Sequence, residues 1–151
     1  MLVACSPQAP AHNASLDNRA SLDDRAQKGL KEIPLTIRSG HAEHHFTVEV
    51  AATPDQQERG LMFRKSLAPD RGMIFPYEPP QDVAFWMKNT WIPLDIVFIR
   101  ADGTIARITN AQPMNLDPLP SGEPVSAVLE IGGGRAAALG IKPGDVASWS
   151  R

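Results

Sequence analysis

Leu35-Thr36-Ile37-Arg38-Ser39-Gly40 is followed closely by His44-His45-Phe46-Thr47-Val48-Glu49-Val50, and apolar and polar residues alternate through both runs. A period of two places every second side chain on one face of a strand. Ser39-Gly40 supplies the turn between them, so this stretch predicts a β-hairpin and opens the folded part of the chain near Ile33. The same signals recur downstream. Met73-Ile74-Phe75, Val83 to Lys88, Leu94 to Arg100, Thr104 to Thr109, Val125 to Ile131 and Asp145 to Trp149 all read as short strands. Asp102-Gly103 is a strong hairpin turn. Pro76 to Gln81 and Asn110 to Pro124 read as proline-rich loops. Seven or eight short strands separated by turns predict an all-β sandwich or barrel-like single domain.

Two short helices interrupt the strands. Thr53-Pro54-Asp55-Gln56 is a capping box with proline at the first helical position, which predicts a helix from Pro54 to about Met62. Gly60 inside it costs about 1 kcal/mol relative to alanine, a sign of close packing or of a helix end. Arg135 to Leu139 forms a second helical turn, ended by Gly140.

The chain has 151 residues, the size of one domain, with a formal net charge of -2. That balance excludes the basic face on which non-specific nucleic-acid binding depends. Residues 1–32 read as a disordered leader or tether, poor in large apolar side chains, and residues 33–151 as the β domain. Cys5 is the one cysteine, so an internal disulfide is excluded. Leu2-Val3-Ala4-Cys5 has the form of the end of a lipoprotein signal, without the roughly 7–15 apolar residues that should precede it. Two readings stand: the true start lies upstream and Cys5 is a lipid anchor in a periplasmic or envelope compartment, or the match is chance and Met1 starts a cytoplasmic protein. No run reaches the about 18 apolar residues of a membrane-spanning helix.

Glu58-Arg59-Gly60-Leu61-Met62-Phe63-Arg64, Gly72-Met73-Ile74-Phe75, Phe85-Trp86-Met87-Lys88-Asn89-Thr90, Pro93-Leu94-Asp95 and Phe98, then Val128-Leu129-Glu130, Gly140-Ile141 and Gly144-Asp145, follow one another in an order that closely resembles the Domain of Unknown Function 192 (DUF192) family, over about Leu35 to Trp149. The resemblance implies a β-sandwich-like fold, bacterial or archaeal occurrence and, often, an export signal or membrane anchor; it implies no activity. Gly132-Gly133-Gly134 departs from the proline and alanine usual before a glycine in the family, which leaves that loop more flexible.

Candidate chemistry lies in a few side chains. In 84–88, Phe85 and Met87 share one face, expected to be the core, while Trp86 and Lys88 share the other. Asp95 and Glu130 are carboxylates on otherwise apolar strands and need partners. In one reading Arg59, Arg64, Trp86, Lys88, Asn89, Asp95 and Glu130 form a shallow pocket for a small polar or anionic molecule, with the domain a non-catalytic binding module. In a second, Arg59 pairs with Asp95 or Arg64 with Glu130 merely to close a sheet edge. In a third, Asp95 and Glu130 are the paired carboxylates of a hydrolase. In a fourth, Trp86 or Trp91 anchors a partner protein of the envelope. The absence of a Gly-x-Ser-x-Gly elbow, and a lone Cys5 in the leader, lean against catalysis. His41, Glu43 and His45 share a face but read as a solvated hairpin tip, short of the ligands a metal needs. Met62, Met73, Met87 and Met114 read as core fillers before they read as a monovalent copper site. No cofactor is called for, and the domain is expected to be a monomer.

Overall fold

The structure is a computed structural model that describes residues 25–151. The Cys5 lipid-anchor reading therefore lies outside the described residues. Among the described residues, nine strands and two short helices follow in the order β1 (Glu32–Ser39), β2 (Ala42–Val50), α1 (Pro54–Arg59), β3 (Arg71–Gln81), β4 (Ala84–Phe85), β5 (Leu94–Ile99), β6 (Ile105–Ala111), β7 (Leu119–Pro120), β8 (Val125–Gly132), α2 (Arg135–Leu139) and β9 (Val146–Trp149). Seven strands form one sheet in the order β6-β5-β8-β3-β2-β1-β9; β4 and β7 pair separately. The β2–β3 pair is parallel, and its crossover carries α1; the other pairings are antiparallel. A bridge between Thr104 and Val146 brings the two ends of the sheet together. Ile105 N–H donates to the Asp145 carbonyl and Ala147 N–H to that of Gly103, both at 2.8 Å. The fold is all-β and barrel-like.

Strand alternation divides the apolar residues into two layers. Leu35, Ile37, Val48, Ile74, Val97, Leu129 and Ile131 face one way and pack with Ile105 and Ala147 from the meeting sheet ends, which makes this the concave, inner core. Met73, Phe75, Ile96, Phe98 and Val128 face outward and are covered by Leu61 and Met87. Strands β5 and β8, flanked by strands on both sides and buried on both faces, show no polar alternation.

Several expected boundaries shift. The loop expected over Asn110 to Pro124 gives up its start to β6, which runs to Ala111, and Leu119–Pro120 to β7, which pairs with β4. Pro76 to Gln81 is the end of β3, not a loop: Pro76 pairs with Ala127 and, past a register shift, Gln81 with Val125. The strand expected over Val83 to Lys88 shrinks to Ala84–Phe85, because Met87 N–H donates to the Asn115 carbonyl (2.8 Å) and Thr90 N–H folds back to that of Met87 (3.2 Å). The first helix stops at Arg59, because Gly60 takes φ 45° and ψ −131°. A Cβ there would stand 3.4 Å from the Phe75 ring, so Gly60 is at once a helix end and a close approach. The segment before β1 enters the fold earlier than residue 33. The Gln27 side-chain amide donates to the carbonyls of Gln56 (2.9 Å) and Gly60 (2.8 Å) at the end of α1.

Candidate functional site

Register decides which polar groups can meet. Glu130 on β8 lies opposite Met73 of β3 and Ile96 of β5, so its side chain points to the outer layer. Asp95 lies opposite Ile131, and its side chain points to the inner face. Residues directly across an antiparallel pair share a face. Asp95 and Glu130 are therefore separated by the sheet, and the paired-carboxylate arrangement, which needs both across one cleft, is not formed.

Asp95 is fully engaged. Its Oδ1 accepts from Asn110 Nδ2 (2.9 Å) and Gly134 N–H (3.1 Å), and its Oδ2 from Ala136 N–H (2.9 Å). The residue is 3% exposed. It caps α2 from a distant strand, supplying the acceptor that Gly134 at the N-cap lacks. Gly133 N–H donates to the Pro93 carbonyl at 2.9 Å, and a Cβ at Gly133 would press to 2.8 Å from Pro93. The glycine run expected to be flexible is thus pinned at both Gly133 and Gly134.

Glu130 has the opposite character. It is 5% exposed, and no described residue gives its carboxyl a hydrogen bond or an ion pair. Burial alone pushes its pKa up to about 8. Its carboxyl forms part of the wall of a cleft of about 230 Å³, walled also by Phe75, Tyr77, Phe85, Trp86, Thr90, Leu61 and the 57–60 end of α1. Burial, and secondarily the Glu130 charge, pushes the Tyr77 phenol up to about 12. A wider groove of about 590 Å³ adjoins it, sharing Glu58, Arg59, Met62 and Trp86 and continuing past Lys88, Asn89 and Gln27.

Of the expected site residues, Arg59, Trp86 and Glu130 meet at the inner cleft, and Lys88 and Asn89 stand with Arg59 and Trp86 in the outer groove. Trp86 is 46% exposed, and Lys88 Nζ lies over its ring, 5.0 Å from the centroid. Asn89 adopts φ 53°, a left-handed conformation asparagine tolerates, and its carbonyl receives the Phe63 N–H at 2.8 Å. That bond ties the 58–64 and 85–90 motifs together. Arg64 leaves the site: it forms a two-point ion pair with Glu49 (2.7 and 3.0 Å) and donates to the Gln27 carbonyl (2.9 Å). Neither Arg59–Asp95 nor Arg64–Glu130 forms; Arg59 Nη1 donates to the Arg25 carbonyl at 3.1 Å. Trp91 is half-buried with its ring edge-on to Phe63 (5.8 Å), which leaves Trp86 as the exposed indole of the two.

Phe85 is half-buried and Met87 fully buried, on the side the strand period assigns them. Met73 and Met87 fill the outer core while Met114 is 51% exposed. His41 and Glu43 are exposed at the β1–β2 hairpin, and His45 Nδ1 shares a hydrogen bond with Thr36 Oγ1 (3.1 Å). Among the described residues no three His, Cys, Asp or Glu side chains converge as a metal site would require. Tyr77 belongs to the cleft but carries no motif of its own, and Thr90, the last residue of the 85–90 motif, lines it as well. The period from Met73 through Phe75 to Tyr77 was the available signal for Tyr77, hidden by reading Pro76 as the start of a loop.

The chain matches the model of the family DUF192, described as Uncharacterized ACR, over residues 35–149. A solved structure of a protein of unknown function from Novosphingobium aromaticivorans is 43% identical, covers 94% of each chain and superposes with a TM-score of 0.79. One from Sinorhizobium meliloti, described as a "putative transcription regulator", is 40% identical over 82% of this chain and 97% of its own, also with a TM-score of 0.79. No curated protein matches the chain. Family match and structural likeness agree: this chain belongs to the DUF192 family of uncharacterised proteins.

Proposed function

We propose that the domain is a non-catalytic binding module for a small polar molecule held between Trp86, Arg59 and Glu130. The observation that carries this reading is the Glu130 carboxyl, buried in an aromatic cleft without a partner. An apolar residue would be more stable there, so the carboxyl has a use that folding alone does not supply. Mostly apolar walls with a few convergent polar groups are the usual composition of small-ligand pockets. Arg59 and Lys88 in the outer groove suit a polar or anionic group on the ligand's outward end. Asp95, Arg64 and the glycine run serve the scaffold in this reading. With Asp95 across the sheet, hydrolysis by paired carboxylates loses its second group. The envelope location expected from Leu2-Val3-Ala4-Cys5 belongs to the same proposal; lipid on Cys5 in a mass spectrum of the native N-terminus supports it, and an unmodified Met1 removes it.

The test is a thermal-shift screen of small polar compounds against the full chain, repeated with Trp86→Ala and Lys88→Ala. A ligand at 100 times its Kd adds about 2.7 kcal/mol to the native state. Shifts that shrink in both variants support the reading; shifts indifferent to both place the ligand elsewhere.

A further inference from the structure

We propose that the inner cleft receives a protonated amine of the ligand, with the Glu130 carboxylate as its counter-ion and the surrounding aromatic rings as its walls. This deepens the binding reading above and rests on it. Three observations carry it. First, no cation among the described residues pairs with Glu130. Arg59, the cationic side chain lining the cleft, spends a guanidinium N–H on the Arg25 carbonyl and gives the carboxyl no hydrogen bond. An ionised carboxylate in such surroundings needs a compensating charge from outside. Second, Phe75, Tyr77, Phe85 and Trp86 line the cleft. Aromatic faces carry negative potential and attract ammonium groups, Trp most strongly. The Trp86 ring already does so in this fold, with Lys88 Nζ 5.0 Å from its centroid. Third, Thr90 Oγ1 is committed to the Lys88 carbonyl (3.1 Å), so the one hydroxyl donor besides Tyr77 that could favour an anion in the cleft is occupied. Lys88 lies in the adjoining groove and Arg59 at the junction of the two, so a ligand with an amine at one end and an acidic or polar group at the other would satisfy both compartments.

The amine must displace the proton that burial keeps on Glu130, and this gives the test its readout. Benzylamine and benzoate have nearly the same shape and opposite charge. Each is titrated calorimetrically into the full chain at pH 6, 7 and 8, in two buffers of different ionisation enthalpy. With a carboxyl that titrates near 8, the ionised fraction grows from about 1% to about 50% between pH 6 and pH 8, and apparent affinity grows with it, about 50-fold. Binding of benzylamine at pH 7 releases about 0.9 proton. Glu130→Gln, a shape-conserving change, weakens benzylamine at least tenfold, with its fold checked by circular dichroism. Benzoate bound in preference to benzylamine, with affinity falling as pH rises, overturns the amine assignment and leaves the binding cleft standing. Benzylamine binding with no proton release, or unchanged by Glu130→Gln, also overturns it. Failure of both probes with the wild-type chain at every pH overturns the amine assignment and the cleft reading together.

Discussion

Replacing Glu130 with glutamine should change how stability depends on pH, and the size of the change follows from its surroundings. In the native state the carboxyl is buried without a partner and titrates near 8, against 4.5 for an ordinary glutamate. The unfolded chain therefore gives up this proton several pH units before the folded chain does. Between these two values the native state binds one more proton than the unfolded state, so stability falls as pH rises. The slope is about 1.4 kcal/mol per pH unit, and the span allows a total of about 5 kcal/mol as an upper bound. Glutamine has no proton to lose, so Glu130→Gln escapes the decline. The assay is urea unfolding of wild type and Glu130→Gln at pH 5, 6, 7, 8 and 9, read as the difference between the two at each pH. Taking the difference cancels the carboxylates whose pKa runs the other way, such as Glu123, held down by its hydrogen bond to Arg100. The variant should gain on the wild type by several kcal/mol from pH 5 to pH 8, and the gain should level off above that. Curves that stay parallel within about 0.5 kcal/mol would refute the claim that Glu130 is buried and unpaired.

Asp95→Ala removes the acceptor shared by Asn110, Gly134 and Ala136; Asn110 and Gly134 are exposed and can turn to water, while the Ala136 N–H is left buried without a partner, so the expected loss is about 1–3 kcal/mol by chemical denaturation, with faster amide exchange at Ala136 and unchanged binding of any cleft ligand. Arg64→Ala strands Glu49, 7% exposed, and should cost about 3–5 kcal/mol, while a double replacement of Arg64 and Glu49 by apolar residues should recover most of that in a double-mutant cycle. Gly72→Ala would place a Cβ 2.5 Å from the Glu130 carbonyl oxygen; a forced shift between β3 and β8 costs about 1–3 kcal/mol or more, visible as a lowered Tm. Thr53→Ala breaks the capping box, in which Thr53 Oγ1 accepts the Gln56 N–H at 3.2 Å, and should cost about 1 kcal/mol by chemical denaturation, at the end of α1 opposite the one that walls the cleft.

Local signals were legible and long-range ones were not. The capping box at Thr53 and Gln56 is readable because both partners lie within four residues, and both of its hydrogen bonds form. The split of Phe85 and Met87 from Trp86 and Lys88 is readable from period alone, although the strand itself spans two residues. Arg64 was read toward Glu130, yet its partner is Glu49, because the parallel pairing of β2 with β3 brings the end of the crossover back beside β2. No local pattern encodes that return. Asp95 was read as a ligand group because a carboxylate on an apolar strand looks idle; its donors arrive from residues 15 to 41 positions away. The cleft was half legible. Arg59, Trp86 and Glu130 were singled out, while Tyr77 was lost to a proline that the sheet accommodates.

Strand β8 also has a consequence for how this family can vary. Leu129 and Ile131 belong to the inner core, and Glu130 between them opens to the outer cleft. A single change at 130 swaps the chemistry at the cleft wall while the neighbouring side chains, and the closure of the barrel they support, stay as they are. Trp86, 46% exposed, is as free to change, whereas Tyr77 and Phe85 pack against the outer core. The barrel thus carries two lining positions, 86 and 130, that can change without touching its inner core.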